Sequence, residues 1–156
     1  MMHNASLLIG SNINPVKNLP LAFSQLKESV YIIHSSRVWH TSAVGSGSPD
    51  FLNAAVEIKT GLSREKLKEE VLRKIELNLG RVKTVNKNAP RVIDLDIVLF
   101  DGEILDQNLW VKSFIALPMA DIHPSLINPG NRKTLSQICM ELKNSISDYP
   151  HPLLLA

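Results

Sequence analysis

The sequence is poor in several things, and each shortage closes off a class of protein. One cysteine, Cys139, stands among 156 residues. A disulfide framework within the chain is impossible, so stability has to come from packing, and a reducing compartment is allowed. Aromatic residues are 5% of the chain, too few for the paired stacking rings with which βαββαβ sheets read RNA. No apolar run nears the roughly 20 residues that a membrane helix needs. The start, Met1 to Ala5, lacks a basic n-region, so no secretory signal is expected and the cytoplasm is the expected location. No Gly-x-x-x-x-Gly-Lys-Ser/Thr loop occurs, and His3, His34, His40, His123 and His151 show no zinc spacing.

What is present suits one globular domain spanning residues 1–156, with 44% apolar and 21% charged residues. The net charge is +2, from 17 basic and 15 acidic residues, but the excess is local. Arg81, Lys83, Lys87 and Arg91 crowd one acid-free segment, and without them 13 bases would face 15 acids. Such a loop favours a local polyanion, for instance a nucleotide phosphate chain, over a broad nucleic-acid surface.

Ala5 to Gly10 reads as a buried strand. Pro15 suits the opening turn of a helix carrying Val16, Leu19, Ala22, Phe23, Leu26 and Val30, with Pro20 tolerated near its start. Val30 to Thr41 and Phe51 to Thr60 read as strands joined by a Gly- and Ser-rich loop. Ser63 is a good N-cap for a helix with Leu67, Val71, Ile75 and Leu79 at every fourth position, and Gly80 is placed to end it. Val92 to Phe100 is the next strand, then a turn at Asp101-Gly102 and a short strand. The proline-rich last third predicts only short helices, Thr134 to Lys143 being the best of them. The expected class is α+β: a ferredoxin-like βαββαβ core with a mainly antiparallel sheet, helices packed on one face, and added C-terminal elements.

Asp94 and Asp96 interrupt the apolar strand, and alternation points them to one face. Two carboxylates there repel each other and are costly to desolvate. Mg²⁺ would compensate, because it takes one or two carboxylates and shares substrate phosphate oxygens. Solvation at an exposed edge, or pairing to Arg81 and Arg91, would serve as well. Phe51 and Asn53 share a face and offer a ring and an amide to a flat heterocycle, although a core ring and a strand-end polar group would look the same.

Taken in order, these segments resemble the 6-hydroxymethyl-7,8-dihydropterin pyrophosphokinase family. The likeness runs through Ile9-Gly10-Ser11-Asn12, Pro49-Asp50-Phe51-Leu52-Asn53-Ala54, Glu76 before Gly80-Arg81, and Pro90-Arg91-Val92-Ile93-Asp94-Leu95-Asp96-Ile97. The resemblance implies an ATP-dependent diphosphotransferase of folate synthesis, acting as a monomer on ATP and a reduced pterin, with no membrane or nucleic-acid partner. It implies that Asp94 and Asp96 hold two Mg²⁺ ions, and that Arg81, Arg91 and Lys83 face the triphosphate with Glu76 in support. Phe51 and Phe114 would sandwich the pterin, Asn53 would bond its edge, and Thr41, Ser42, Ala43 and Val44 would meet it through backbone groups.

The chain departs from the family at three places. The segment Leu109 to Phe114 is short and lacks the Pro-His pair, with Lys112 standing in for an arginine. Asn88-Ala89 replaces a loop tryptophan, and Ser42-Ala43 replaces a proline pair. A catalytically weakened or inactive pterin- or nucleotide-binding homologue is the alternative that these departures raise. An RNA-binding module is a more distant one.

Overall fold

The computed structural model describes residues 1–42, 49–81, 90–142 and 148–155. Among them seven strands form one sheet: β1 (His3–Ser11), β2 (Tyr31–Ser35), β3 (Val38–Thr41), β4 (Phe51–Thr60), β5 (Asp94–Phe100), β6 (Glu103–Ile104) and β7 (Tyr149–His151). Their order is β6-β5-β1-β4-β3-β7, with β2 also paired to β4. Every pairing is antiparallel. The βαββαβ core expected from the sequence is this arrangement, with β5, β1, β4 and β3 side by side.

The central strand β1 is buried without interruption from Ala5 to Ser11. A strand covered on both faces needs a continuous apolar run rather than alternation, which is why Leu7, Leu8 and Ile9 stand together. On one face Leu7, Ile9, Val56 and Ile58 meet Leu19 and Leu26 of helix α1 (Pro15–Ser29). They also meet Leu67, Val71 and Ile75 of a second helical run, made of α2 (Arg64–Lys66), a π-helical stretch (Leu67–Leu72) and α3 (Arg73–Asn78). A four-residue apolar repeat is longer than the 3.6-residue α turn and would drift around the helix. The wider π turn holds Leu67, Val71 and Ile75 on one face.

The other face is covered too, which the one-sided expectation missed. Leu8, Ala55 and Val98 pack there with Ile115 and Met119 of α4 (Ser113–Ile122) and with Leu135, Ile138 and Cys139 of α5 (Leu135–Leu142). Cys139 is core, and its Sγ donates to the Ala116 carbonyl at 3.2 Å. Arg37 and the Trp39 indole both donate to the Asp121 carboxylate and so pin α4 to β3.

Four local expectations change. The strand expected over residues 30–41 breaks at Ser36, whose Oγ accepts from Ala55 N–H and takes over a ladder position. The last core strand begins at Asp94 rather than Val92. Helix α4 runs ten residues through Pro118, longer than the prolines suggested. In α1, Val16 is exposed while Leu19, Ala22, Phe23 and Leu26 are buried.

Candidate active site

The sheet has a bare stretch at β5. One side of β5 pairs with β1 along Asp94 to Phe100, but on the other side β6 reaches only Leu99 and Phe100. Among the described residues no strand covers the outer edge from Asp94 to Ile97. Its outward amide at Leu95 is satisfied by a side chain instead, the Glu76 carboxylate at 3.0 Å. An unpaired buried N–H would be costly, so Glu76 is fixed in place by the sheet it serves.

The end of α3 brings in the arginine. Gly80 takes φ +93°, a conformation that L side chains resist. Gly80 N–H bonds to the Leu77 carbonyl and Arg81 N–H to the Glu76 carbonyl, the paired bonds of a Schellman ending. The chain therefore reverses over its own last turn. Arg81 lands beside Glu76, pairs with it, and reaches Asp94 Oδ1 at 2.9 Å. Arg91 takes the other oxygen of Asp94 at 2.7 Å.

These groups line a cleft of about 440 Å³ between α3 and the bare edge. Lys68, Leu72, Arg73 and Leu77 complete its helical wall. Asp96 has no side-chain hydrogen bond or salt bridge among the described residues. Its carboxyl is pushed up to about 7, first by burial against the cleft wall, then by the negative charges of Asp94 and Glu76, with Arg81 and Arg91 opposing. Asp96 still faces solvent on its open side, so the crowding of acids there is open to relief by an incoming cation. Burial likewise raises Glu76, against the pull of the Leu95 amide and Arg81. Among the described residues no three His, Cys, Asp or Glu side chains are grouped to hold a metal alone. Exposed Asp96, with Asp94 beside it held only by arginines that a phosphate could draw away, fits Mg²⁺, which takes one or two carboxylates and shares its sphere with water and phosphate.

Farther along the same row stands a neutral group of residues. Asn53, Gly10 and Asp94 are side by side across β4, β1 and β5. Asn53 is buried and donates from Nδ2 to Thr41 Oγ1 at 2.7 Å. A Cβ at Gly10 would lie 2.3 Å from Asn53 Oδ1, so glycine is required there for space. The Gly-Ser-Asn turn also holds a residue to which the sequence, though it marks Gly10-Ser11-Asn12 as family-like, assigns no role. Buried Asn12 accepts from Arg91 N–H at 2.6 Å and donates to the Pro49 carbonyl at 3.1 Å. One amide thus ties the acidic side to the Phe51 side. Its place in the family-like Ile9-Gly10-Ser11-Asn12 run, directly after a central strand, was the signal that could have found it.

The structure brings Glu76, Arg81, Arg91, Asp94 and Asp96 together at the cleft. Thr41 and Asn53 meet beside it, and Phe51 is half-buried at the start of β4. Ser42 is exposed and its N–H is held by Asp148. Lys112 is exposed at the start of α4, and Phe114 packs against the core beneath α4 and α5. Neither lines the cleft. Ala43, Val44 and Lys83 lie outside the described residues.

Fold and cleft together define an α+β protein with a cluster of carboxylates and arginines at an open sheet edge. The chain belongs to the 7,8-dihydro-6-hydroxymethylpterin-pyrophosphokinase (HPPK) family, whose pattern matches residues 6–124; its members are ATP-dependent pyrophosphokinases of folate biosynthesis. The chain is 30% identical over 160 residues to the 2-amino-4-hydroxy-6-hydroxymethyldihydropteridine pyrophosphokinase of Haemophilus influenzae, covering 95% of this chain and 96% of that one. It is 30% identical to the folic acid synthesis protein FOL1 of Dictyostelium discoideum over 94% of this chain but only 24% of that protein. A crystal structure of a triple mutant of Plasmodium falciparum HPPK-DHPS shares the fold at 13% identity, with a TM-score of 0.70 over 91% of this chain and 44% of that one. No helix among the described residues is long and apolar enough to cross a membrane.

Proposed function

We propose that this chain transfers the terminal diphosphate of Mg·ATP to the hydroxymethyl oxygen of 6-hydroxymethyl-7,8-dihydropterin and releases AMP. The observation that supports this most is the shared row of Asn53, Gly10 and Asp94 on one sheet face. Two strand spacings separate Asn53 from Asp94, roughly 10 Å. A flat bicycle bonded by the Asn53 amide would reach the carboxylates with a short arm.

On this reading Asn53 and Thr41 read the pterin edge, with Ser42, Ala43 and Val44 offering backbone groups and Phe51 and Phe114 its two faces. Asp94 and Asp96 hold two Mg²⁺ ions, which would neutralise the phosphates and sharpen the electrophilic β-phosphorus. Arg81 and Arg91, now paired to Asp94, orient the triphosphate by charge-assisted bonds, with Lys83 beside them and exposed Lys112 as a distant point charge. Glu76 acts behind them by fixing Arg81 and the β5 edge. Leu72 and Leu77 give the base an apolar wall. The reaction needs positioning and charge neutralisation rather than a covalent intermediate. The same reading takes the enzyme to act on small molecules, as a monomer in the cytoplasm.

The test is AMP release by the purified chain with ATP, Mg²⁺ and the reduced pterin. AMP that depends on all three supports the assignment. ATP and pterin that bind without AMP release would make the chain an inactive homologue, an alternative that no observation here favours.

A further inference from the structure

The C-terminal strand lies beside the Thr41 stem rather than beside the cleft. β7 pairs with β3 through Val38 and His151, Trp39 and Pro150, and His40 and Tyr149. Without β7, the four-residue strand β3 would be the sheet's outer edge at that end. Just before it, Asp148 is buried at 8% exposure and accepts from Ser42 N–H at 3.2 Å. The Tyr149 ring stacks on His40 with centroids 4.5 Å apart and planes 10° from parallel. His40 Nε2 in turn lies 3.3 Å from Asp50 Oδ2. Ser42 and Asp50 sit at opposite ends of the segment that joins β3 to β4, so one short strand reaches both stems.

We infer that β7, through Asp148 and Tyr149, is a positioning element for pterin recognition, an inference that rests on the reading above in which Thr41, Ser42 and Asn53 meet the pterin. The physical path is short. A buried carboxylate is retained only where it is bonded, and the donor here is the first amide beyond Thr41. Thr41 Oγ1 holds the Asn53 amide, so β3 must keep its place for Asn53 to keep its orientation. Loosening β7 frees β3 from one side, and the disturbance arrives at Asn53. Arg81, Asp94 and Asp96 take part in none of these bonds, and the Asn12 tie to Arg91 runs through Pro49 rather than through Ser42 or Asn53, so the ATP side should not respond.

The experiment compares Asp148→Ala, Asp148→Asn and Tyr149→Ala in the full chain. Amide hydrogen exchange reads the clamp directly. Exchange at Ser42 should speed up about tenfold in Asp148→Ala and return toward wild type in Asp148→Asn, whose side-chain carbonyl still accepts. Steady-state kinetics should show the pterin KM rising about three- to tenfold with the ATP KM unchanged. Tyr149→Ala should move the same quantities by less, and it carries the test if Asp148→Ala does not fold. Unaltered exchange at Ser42, an unaltered pterin KM, or both KM values rising together would overturn the inference. A wild-type chain that releases no AMP with pterin would instead sink the proposed function, while the exchange measurement would still decide whether the clamp exists.

Discussion

The two ends of the Asn53–Gly10–Asp94 row are built on opposite principles. At Asp94 everything is charged, half-open and held by ion pairs whose side chains keep 13–31% of their surface exposed. At Asn53 everything is neutral and dry, with Asn53 at 3% and Thr41 at 1% exposure. A highly charged, mobile partner such as a metal–triphosphate needs groups that can exchange partners, and half-exposed ion pairs hold them weakly enough to allow it. A flat neutral heterocycle is recognised by fixed donors and acceptors, because a wrong partner leaves buried polar groups unpaired.

The largest expected break in this contrast is at the charged end. Asp96→Ala should lower turnover at least about a hundredfold, equivalent to about 2.7 kcal/mol of barrier, while calorimetry shows an unchanged or slightly raised melting temperature. Asp94→Ala should lose as much turnover but also stability, because Arg81 and Arg91 lose their shared partner. Equal melting temperatures for the two variants would show that Asp94 and Asp96 play the same structural part.

Next comes the neutral end. Gly10→Ala puts a methyl 2.3 Å from Asn53 Oδ1, so the buried Asn53 amide has to shift from its bond to Thr41. Pterin affinity measured by calorimetry should fall about ten- to a hundredfold, the cost of displacing one buried amide, with ATP affinity kept. If both ligands weaken equally, the row is a structural unit and not two sites.

A smaller and reversible effect is expected from pH. Asp96 is raised to about 7 from an ordinary 3.8. The fold therefore holds this proton longer than the unfolded chain does. In the metal-free protein, stability from this group is full below about pH 4 and is lost as pH rises toward about 7. Mg²⁺ requires the ionised form, so apparent Mg²⁺ affinity should weaken as pH falls below about 7, by at most about tenfold per unit. His123 works in the opposite direction. Burial lowers it from 6.5, with Glu57 opposing, so stability falls as pH drops below about 6.5 and the unfolded chain takes up the proton. Asp96→Asn should flatten the first slope in pH-dependent melting curves and leave the second. The smallest effect belongs to Lys112→Ala, where an exposed point charge outside the cleft should change the ATP KM only about two- to threefold.

The parts of this design that were legible in the sequence are those governed by neighbours in the chain. Ser63 caps α2 with its own hydroxyl, Gly80 reverses the chain after α3, and the alternation of Asp94 and Asp96 follows from strand geometry alone. What stayed hidden depends on residues far apart. Asn12 became a tie between Pro49 and Arg91 only once β1 was placed between β4 and β5. The partnership of Asp148 with Ser42 spans 106 positions, and no local pattern marks it. Helix α4 was obscured for another reason: Pro118 removes one helical hydrogen bond, but the packing of Ile115, Met119 and Ile122 outweighs that loss.

The bare stretch of β5 carries one more consequence. An uncovered strand edge is a template on which another chain can add, and proteins guard such edges with charge. Here the guard is the same set of residues proposed to carry the reaction: Asp94, Asp96, Glu76 and the arginines line the open edge. Evolutionary loss of activity by neutralising these residues would also remove the barrier to strand-on-strand association. A drifting copy of this fold would then become sticky as it became idle, so selection against aggregation should help preserve the charges after selection for turnover has ended.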